Sequence, residues 1–278
     1  MPARIDAHQH FWRYRPETHA WITETMPQLK RDFLPADLQP VLAAAGYDGS
    51  VAVQAQQSGA ETEWLLQLAE QHAFIRGVVG WVDLCAPDVT DVLRRLAAHP
   101  RLRGVRHVVQ DEPDERFMLR PEFIRSIATL AQFRLTYDIL IYARQLPAAV
   151  ELVQRFPQQR FVLDHIGKPE IRDRHISVWR DGMRALAAHR NVSCKLSGMV
   201  TEADWRGWKP SDFAGYLDVV FDCFGPQRLM IGSDWPVCTL AGSYGDVMDV
   251  VTDYISFLSP SERDAIRGGN AARFYGLR

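Results

Sequence analysis

RFVLDHIG, residues 160–167, runs apolar through Phe161, Val162 and Leu163 and then stops on Asp164 and His165. A strand wetted on one face alternates in character. A short unbroken apolar run fits a strand covered on both faces, as in a parallel sheet. Seven more runs read the same way: RIDAHQH (4–10), GSVAVQ (49–54), RGVVGWVD (76–83), RGVRHVV (103–109), RLTYDILIY (134–142), NVSCKLSG (191–198) and RLMIGSDW (228–235). Between them lie ETEWLLQLAEQH (61–72), DVTDVLRRLAAH (88–99) and LPAAVELVQRF (146–156), whose apolar residues recur every three or four positions. That is the spacing of a helix laid on a sheet. Strand and helix alternating at a repeat of about 30 residues predict a (β/α)8 TIM barrel. The open doubly wound alternative would put a GxGxxG turn after its first strand, and RIDAHQHFW carries none.

The 278 residues, 47% hydrophobic and 24% charged, suit one such barrel. No Gly/Ser/Pro tract or charge block divides them, so residues 1–278 are expected to form a single domain. A net charge of −2 with no basic stretch argues against a nucleic-acid or membrane partner. Cys85, Cys194, Cys223 and Cys238 form no CxxC pair and read as reduced thiols. No basic-then-apolar leader opens the chain, and no apolar run nears the roughly 18 residues of a membrane span. The expected location is the cytoplasm. Oligomeric state stays open.

A barrel interior is filled by branched apolar side chains, so polar groups at the carboxyl ends of strands are the informative exceptions. Nearly every run ends with them or carries them: His8 and His10, Gln54, Trp81 and Asp83, Arg106 and His107, Tyr137 and Asp138, Asp164 and His165, Lys195 and Ser197, Ser233 and Asp234. Residues two apart on a strand share a face, so Asp6, His8 and His10 are expected to project together. Asp164, beside His165, is expected to point away from it and to orient or support. Asp83 could equally cap the following helix. Cys194 and Cys238 have no evident base and do not read as nucleophiles. The connections FWRYRPETHAWITETMPQL (11–29) and MVTEADWRGWKP (199–210) are too long for simple turns and are expected to cover the site as aromatic lids.

HxH on the first strand, His on the sixth and Asp on the eighth form a pattern that resembles the amidohydrolase superfamily. Within it the chain is similar to the amidohydrolase-2 branch, which includes sugar-acid lactonases (fucono-, galactono- and rhamnonolactonases) and pyrone-dicarboxylate lactonase. The segments that carry the resemblance are IDAHQHFW (5–12), LKRDFLPADL (29–38), GSVAVQAQ (49–56), FVLDHIGKP (161–169), CKLSGM (194–199), RLMIGSDWPV (228–237) and NAARFYGL (270–277), which together span the chain. The resemblance implies His8, His10, His165 and Asp234 as the metal-binding set. Metal-dependent members commonly add a carboxylated lysine on the fourth strand and a histidine on the fifth, where GVRHVV and TYDILIY have neither. A bridged pair of ions is therefore not expected. One divalent ion, zinc by its ligand set, fits, and it need not be obligatory.

Ester hydrolysis needs a base for water, positive charge for the developing oxyanion, and a grip on the substrate. Asp234 is the candidate base, its pKa expected to rise by desolvation. His8, His10, His165, Arg106 and Lys195 are candidates to polarise the carbonyl, with His165 and Lys195 counted among the catalytic residues. Gln54, Arg106, His107, Tyr137, Lys195, Trp81 and Trp235 are expected to bind substrate, with Trp12 and Trp205 as further apolar walls. The expected reaction is the opening of a small polyhydroxylated lactone to its aldonic acid. The rival readings are a metal-dependent decarboxylase or amidase on the same fold, and a sugar-acid binding protein without catalysis.

Overall fold

A computed structural model describes residues 3–277. Eight parallel strands follow one another in chain order around a barrel: β1 (Ile5–Gln9), β2 (Gly49–Val53), β3 (Ile75–Gly80), β4 (Leu102–His107), β5 (Thr136–Ile139), β6 (Phe161–Leu163), β7 (Val192–Leu196) and β8 (Leu229–Ile231). All eight coincide with the apolar runs of the sequence. The helices that follow the strands are α1 (Pro35–Ala44), α2 (Gly59–Gln71), α3 (Val89–Ala97), α4 (Pro121–Leu130), α5 (Leu146–Arg155), α6 (Ser177–Ala187), α7 (Pro210–Phe224) and α8 (Tyr244–Tyr254). Their starts are chemically marked. Proline occupies the first turn of α1, α4, α5 and α7, where a missing N–H costs nothing, and Ser58 and Ser243 cap α2 and α8.

Two apolar layers hold the barrel. The outer one packs helix side chains such as Leu38, Leu65, Phe123, Leu152, Trp179 and Phe213 onto the strands. The inner one joins Ile5, Ala7, Val51, Val53, Val79, Val162 and Met230. The helices α9 (Pro260–Asp264) and α10 (Asn270–Tyr275) end the described chain, and Ala271, Phe274 and Tyr275 of α10 plug the amino end of this inner layer. No helix among the described residues is long and apolar enough to cross a membrane.

The barrel closes between its first and last strands, past the end of β8. The His10 N–H donates to the Trp235 carbonyl (2.7 Å), and the Asp234 N–H donates to the His8 carbonyl (2.8 Å). The closing seam is therefore made by the backbone of the very residues whose side chains form the site.

Candidate active site

Strand parity fails at β1, and usefully so. The β1–β2 register slips between Asp6 and Gln9, a bulge that lets two successive residues face one way. Asp6 turns outward, accepting hydrogen bonds from Ser233 Oγ (2.6 Å) and from Tyr244 Oη of α8 (3.2 Å). It does not share the face of His8 and His10, as strict alternation would have it. His8 and His10 point inward with their Nε2 atoms 3.1 Å apart.

A second departure occurs after β6. His165, Ile166 and Lys168 have φ of 53°, 47° and 45°, with Gly167 at 71° between them. A left-handed run of non-glycine residues is strained, most of all at a β-branched isoleucine. It is held by the Trp179 indole donating to the Ile166 carbonyl (2.7 Å). The turn brings Asp164 and His165 to the same axis, correcting the expectation that Asp164 points away. Asp164 Oδ1 lies 3.4 Å from His8 Nδ1, and Oδ2 accepts from Arg106 Nη1 (3.0 Å). His165 Nε2 comes within 3.8 Å of Asp234 Oδ1, while its Nδ1 meets Ser197 Oγ at 2.9 Å. Gly198 makes room for the ring, since a Cβ there would stand 2.5 Å from His165 Nδ1. Asp234 is itself left-handed, with φ 58°.

The donor set fits a metal ion. Asp234 Oδ1 lies 3.2 Å from His10 Nε2 and 3.8 Å from both His8 Nε2 and His165 Nε2. A tetrahedral zinc with bonds of about 2.1 Å asks for donors about 3.4 Å apart. His10 Nδ1 faces the Val53 carbonyl at 2.8 Å, so it must carry the proton there. Its Nε2 then meets Asp234 Oδ1 across 3.2 Å and His8 Nε2 across 3.1 Å, a cluster of donor atoms that a shared cation would satisfy together. Burial holds the pKa of His8 and of His165 well below the usual histidine value, which keeps both rings neutral, as ligation requires. His8, Asp164 and His165 form a second possible group of ligands, overlapping the first at His8. The space around that second group holds cations already. Arg106 Nη1 is 3.3 Å from His8 Nε2, and Lys195 Nζ is 2.9 Å from Asp164 Oδ1.

Burial pushes the Asp234 carboxyl up, but His165 and the His10 hydrogen bond outweigh it and the net shift is downward. The expected rise is thus reversed, because His165, His10 and Lys168 together act on the group.

A cavity of about 350 Å³ opens above this floor. His10, Arg106, His165 and Asp234 line its base, Thr18, Ala20 and Trp21 come from the loop after β1, and Gln56 and Gln57 from the turn after β2. Ala55, Val108, Gln110, Asp111, Leu140, Lys168 and Val237 complete it. The first long loop therefore covers the site as expected, with Trp21 as its aromatic wall. The second does not line the cavity; its Trp205 donates to the Thr201 carbonyl, and its Glu202 lies 3.6 Å from Lys168.

Several predicted contacts are displaced. Lys195 is fully buried beneath His8, bound to Asp138 (2.6 Å) and Asp164, and meets no cavity wall. Gln54 is buried as well, and its side-chain and backbone oxygens both accept from Arg106 Nη2. Tyr137 is a core residue on the outer face of β5, packed edge-on to Phe123 and Phe161. His107 stacks on Phe117 and engages Glu112, with Trp81 donating to its other nitrogen. Trp12 and Trp235 are buried and pack with Phe33. Asp83 accepts from the Cys85 N–H in a turn, and the residue flanking α3 is Asp88. The cavity residues missed by sequence reasoning are mainly amides and small apolar groups in loops, without periodicity or motif. Ala55, Gln56, Lys168 and Val237 do belong to the quoted segments GSVAVQAQ, FVLDHIGKP and RLMIGSDWPV.

Comparison with known proteins agrees with this architecture. The amidohydrolase family model matches residues 5–277. An L-fucono-1,5-lactonase of Burkholderia multivorans is 46% identical over 99% of this chain and 96% of its own. An L-fucono-1,5-lactonase of Burkholderia ambifaria is 40% identical over the same shares, 99% and 96%. The crystal structure of an amidohydrolase from Burkholderia multivorans with bound zinc superposes with a TM-score of 0.95 at 46% identity, covering 99% of this chain and 100% of that one. With its barrel, its histidine and aspartate set and a family match over nearly every residue, the chain belongs to the amidohydrolase family.

Proposed function

We propose that residues 1–278 act as one barrel domain that hydrolyses a sugar-acid lactone, of the fucono-, galactono- or rhamnonolactone kind, to its aldonate. It is thus a carboxylic ester hydrolase. The observation that carries this is the floor of the cavity, where Asp234, His10, His165 and Arg106 meet below walls of amide and hydroxyl groups. The lactonase names of the relatives point the same way. Thr18, Gln56, Gln57 and Gln110 can pair sugar hydroxyls while Trp21, Val108 and Leu140 lie against apolar ring faces. The cationic side chains of the wall, Arg106 and Lys168, are matched by Asp111 and Asp234, which weighs against a dicarboxylate.

Asp234 engages the imidazoles through Oδ1. Its Oδ2 takes a proton from water, and the hydroxide so formed attacks the lactone carbonyl. The ring C–O bond breaks, and the departing alkoxide regains the proton from Asp234. Arg106, held by Gln54 and Asp164, supplies fixed positive charge for the oxyanion. His8, His10, His165 and Asp234 would hold one divalent ion, zinc, which when bound supplies Lewis acidity at the carbonyl oxygen. Because Arg106 remains when the ion is lost, the ion is not obligatory.

The test is a pH-indicator assay of aldonolactones against pyrone dicarboxylate and N-acyl amides, before and after chelation. Turnover of a sugar lactone that partly survives chelation is expected. Turnover of only the dicarboxylate or the amides, or aldonate binding with no turnover, would overturn the reading.

A further inference from the structure

Glu61 stands in the first turn of α2, three residues after the capping Ser58. In the usual reciprocal cap, the glutamate at that position accepts from the backbone N–H of the capping residue. Here half of that arrangement is present. Ser58 Oγ accepts from the Glu61 N–H, but the Ser58 N–H turns to the Gln56 carbonyl. The Glu61 side chain reaches past it, and one oxygen, Oε2, accepts from the N–H of Ala55 (3.0 Å) and of Gln56 (2.9 Å). The residue is only 6% exposed, and its other oxygen has no partner. A carboxylate buried in this way does more than end a helix.

The turn it grips joins three walls of the cavity. The Gln56 amide lies 3.0 Å from His19 Nε2 of the loop after β1, and Gln57 Oε1 accepts from the Val108 N–H of the loop after β4 (3.0 Å). Gln54, at the start of the turn, carries Arg106. We propose that Glu61 is a positioning residue for substrate binding: by holding the 54–57 turn it sets Gln56 and Gln57 and ties the β1 and β4 loops into one wall. It touches neither substrate nor reacting atoms. This rests on the lactonase reading for its substrate.

Three variants test it. Glu61→Gln keeps an acceptor of the same reach, Glu61→Asp keeps the charge but is one methylene short, and Glu61→Met removes the acceptor. Amide hydrogen exchange across residues 54–57, measured without substrate, should quicken by about tenfold or more in Glu61→Met and Glu61→Asp, and stay near wild type in Glu61→Gln. On the best lactone of the panel, KM should rise about tenfold in Glu61→Met and Glu61→Asp, with kcat within about threefold, because Asp234 follows β8, away from this turn, and Arg106 keeps its bond to Asp164. Glu61→Gln should restore KM. Faster exchange with unchanged KM, unchanged exchange in Glu61→Asp, or a Gln variant as impaired as the Asp one would overturn the proposal. If Glu61→Met fails to fold, the Asp and Gln pair decides alone. If no sugar lactone is turned over by wild type, the lactonase reading fails, while exchange still judges whether Glu61 holds the turn.

Discussion

At the scale of single residues, Asp234 and Lys195 separate what touches the substrate from what supports it. Asp234 lines the cavity and sits among three imidazoles. Asp234→Asn should lower kcat by about 10²-fold or more, the usual loss when a positioned base is removed. Aldonate binding, followed by calorimetry, should largely survive; near-normal turnover would move the base to a histidine. Lys195 has the same charge-bearing chemistry that made it attractive as a hydroxyl binder, yet it lies fully buried between Asp138 and Asp164. Removing one partner of a buried ion pair strands the others, at a cost of about 3–5 kcal/mol. Lys195→Met should therefore show its effect in urea denaturation. A variant of unchanged stability with only a raised KM would return Lys195 to the substrate. The sequence marks both residues as polar groups on strands. Which of them reaches the cavity depends on depth along the barrel axis, and a one-dimensional pattern does not encode depth.

At the scale of elements, the strands were legible and their faces were not. Eight apolar runs became eight strands because burial on both sides leaves a nearly unbroken apolar signature. The side-chain directions of Asp6 and Asp164 depart from strict alternation for local reasons: a bulge in β1 and a left-handed turn after β6 each shift the alternation by one. Neither has a strong signal in the residues, since the turn runs through His165 and Ile166, which rarely adopt positive φ. The partner loop supplies a sharper mark. Gly198 has φ 63° and stands where a Cβ would meet His165 Nδ1 at 2.5 Å. Gly198→Ala should destabilise the fold by about 1–3 kcal/mol through backbone strain. It should also push the imidazole off the axis, so that kcat falls about tenfold or more and, on the proposed one-metal site, the affinity for added zinc weakens. Thermal unfolding and a chelator competition read the two effects separately. Unchanged zinc affinity would show that the Ser197–Gly198 segment does not position His165.

At the scale of the whole molecule, the barrel buries many ionisable groups around its axis and beneath its loops, and they pull its pH dependence in opposite directions. Burial depresses His8 and His165, so their contribution to stability is present above the ordinary histidine pKa and is lost as pH falls. Glu61 works the other way. Burial pushes its carboxyl from 4.5 up to about 7, against the backbone N–H groups of Gln56 and Ala55 and the charge of Arg106. Those two N–H groups bind Oε2 alone, so a proton on the unpartnered Oε1 displaces no hydrogen bond. With a folded pKa above the unfolded one, the stability tied to Glu61 is fully present below about pH 4 and is lost as pH rises through about 7. Glu61→Gln cannot ionise and removes this dependence while leaving the histidines in place. The stability of wild type relative to Glu61→Gln should therefore decline by about 3 kcal/mol between pH 4 and pH 9, with most of the change between pH 5 and 7. Urea midpoints of the two proteins measured in parallel across that range provide the check. Parallel curves would mean that Glu61 ionises as it does in the unfolded chain, and that its burial is relieved by solvent reaching the turn.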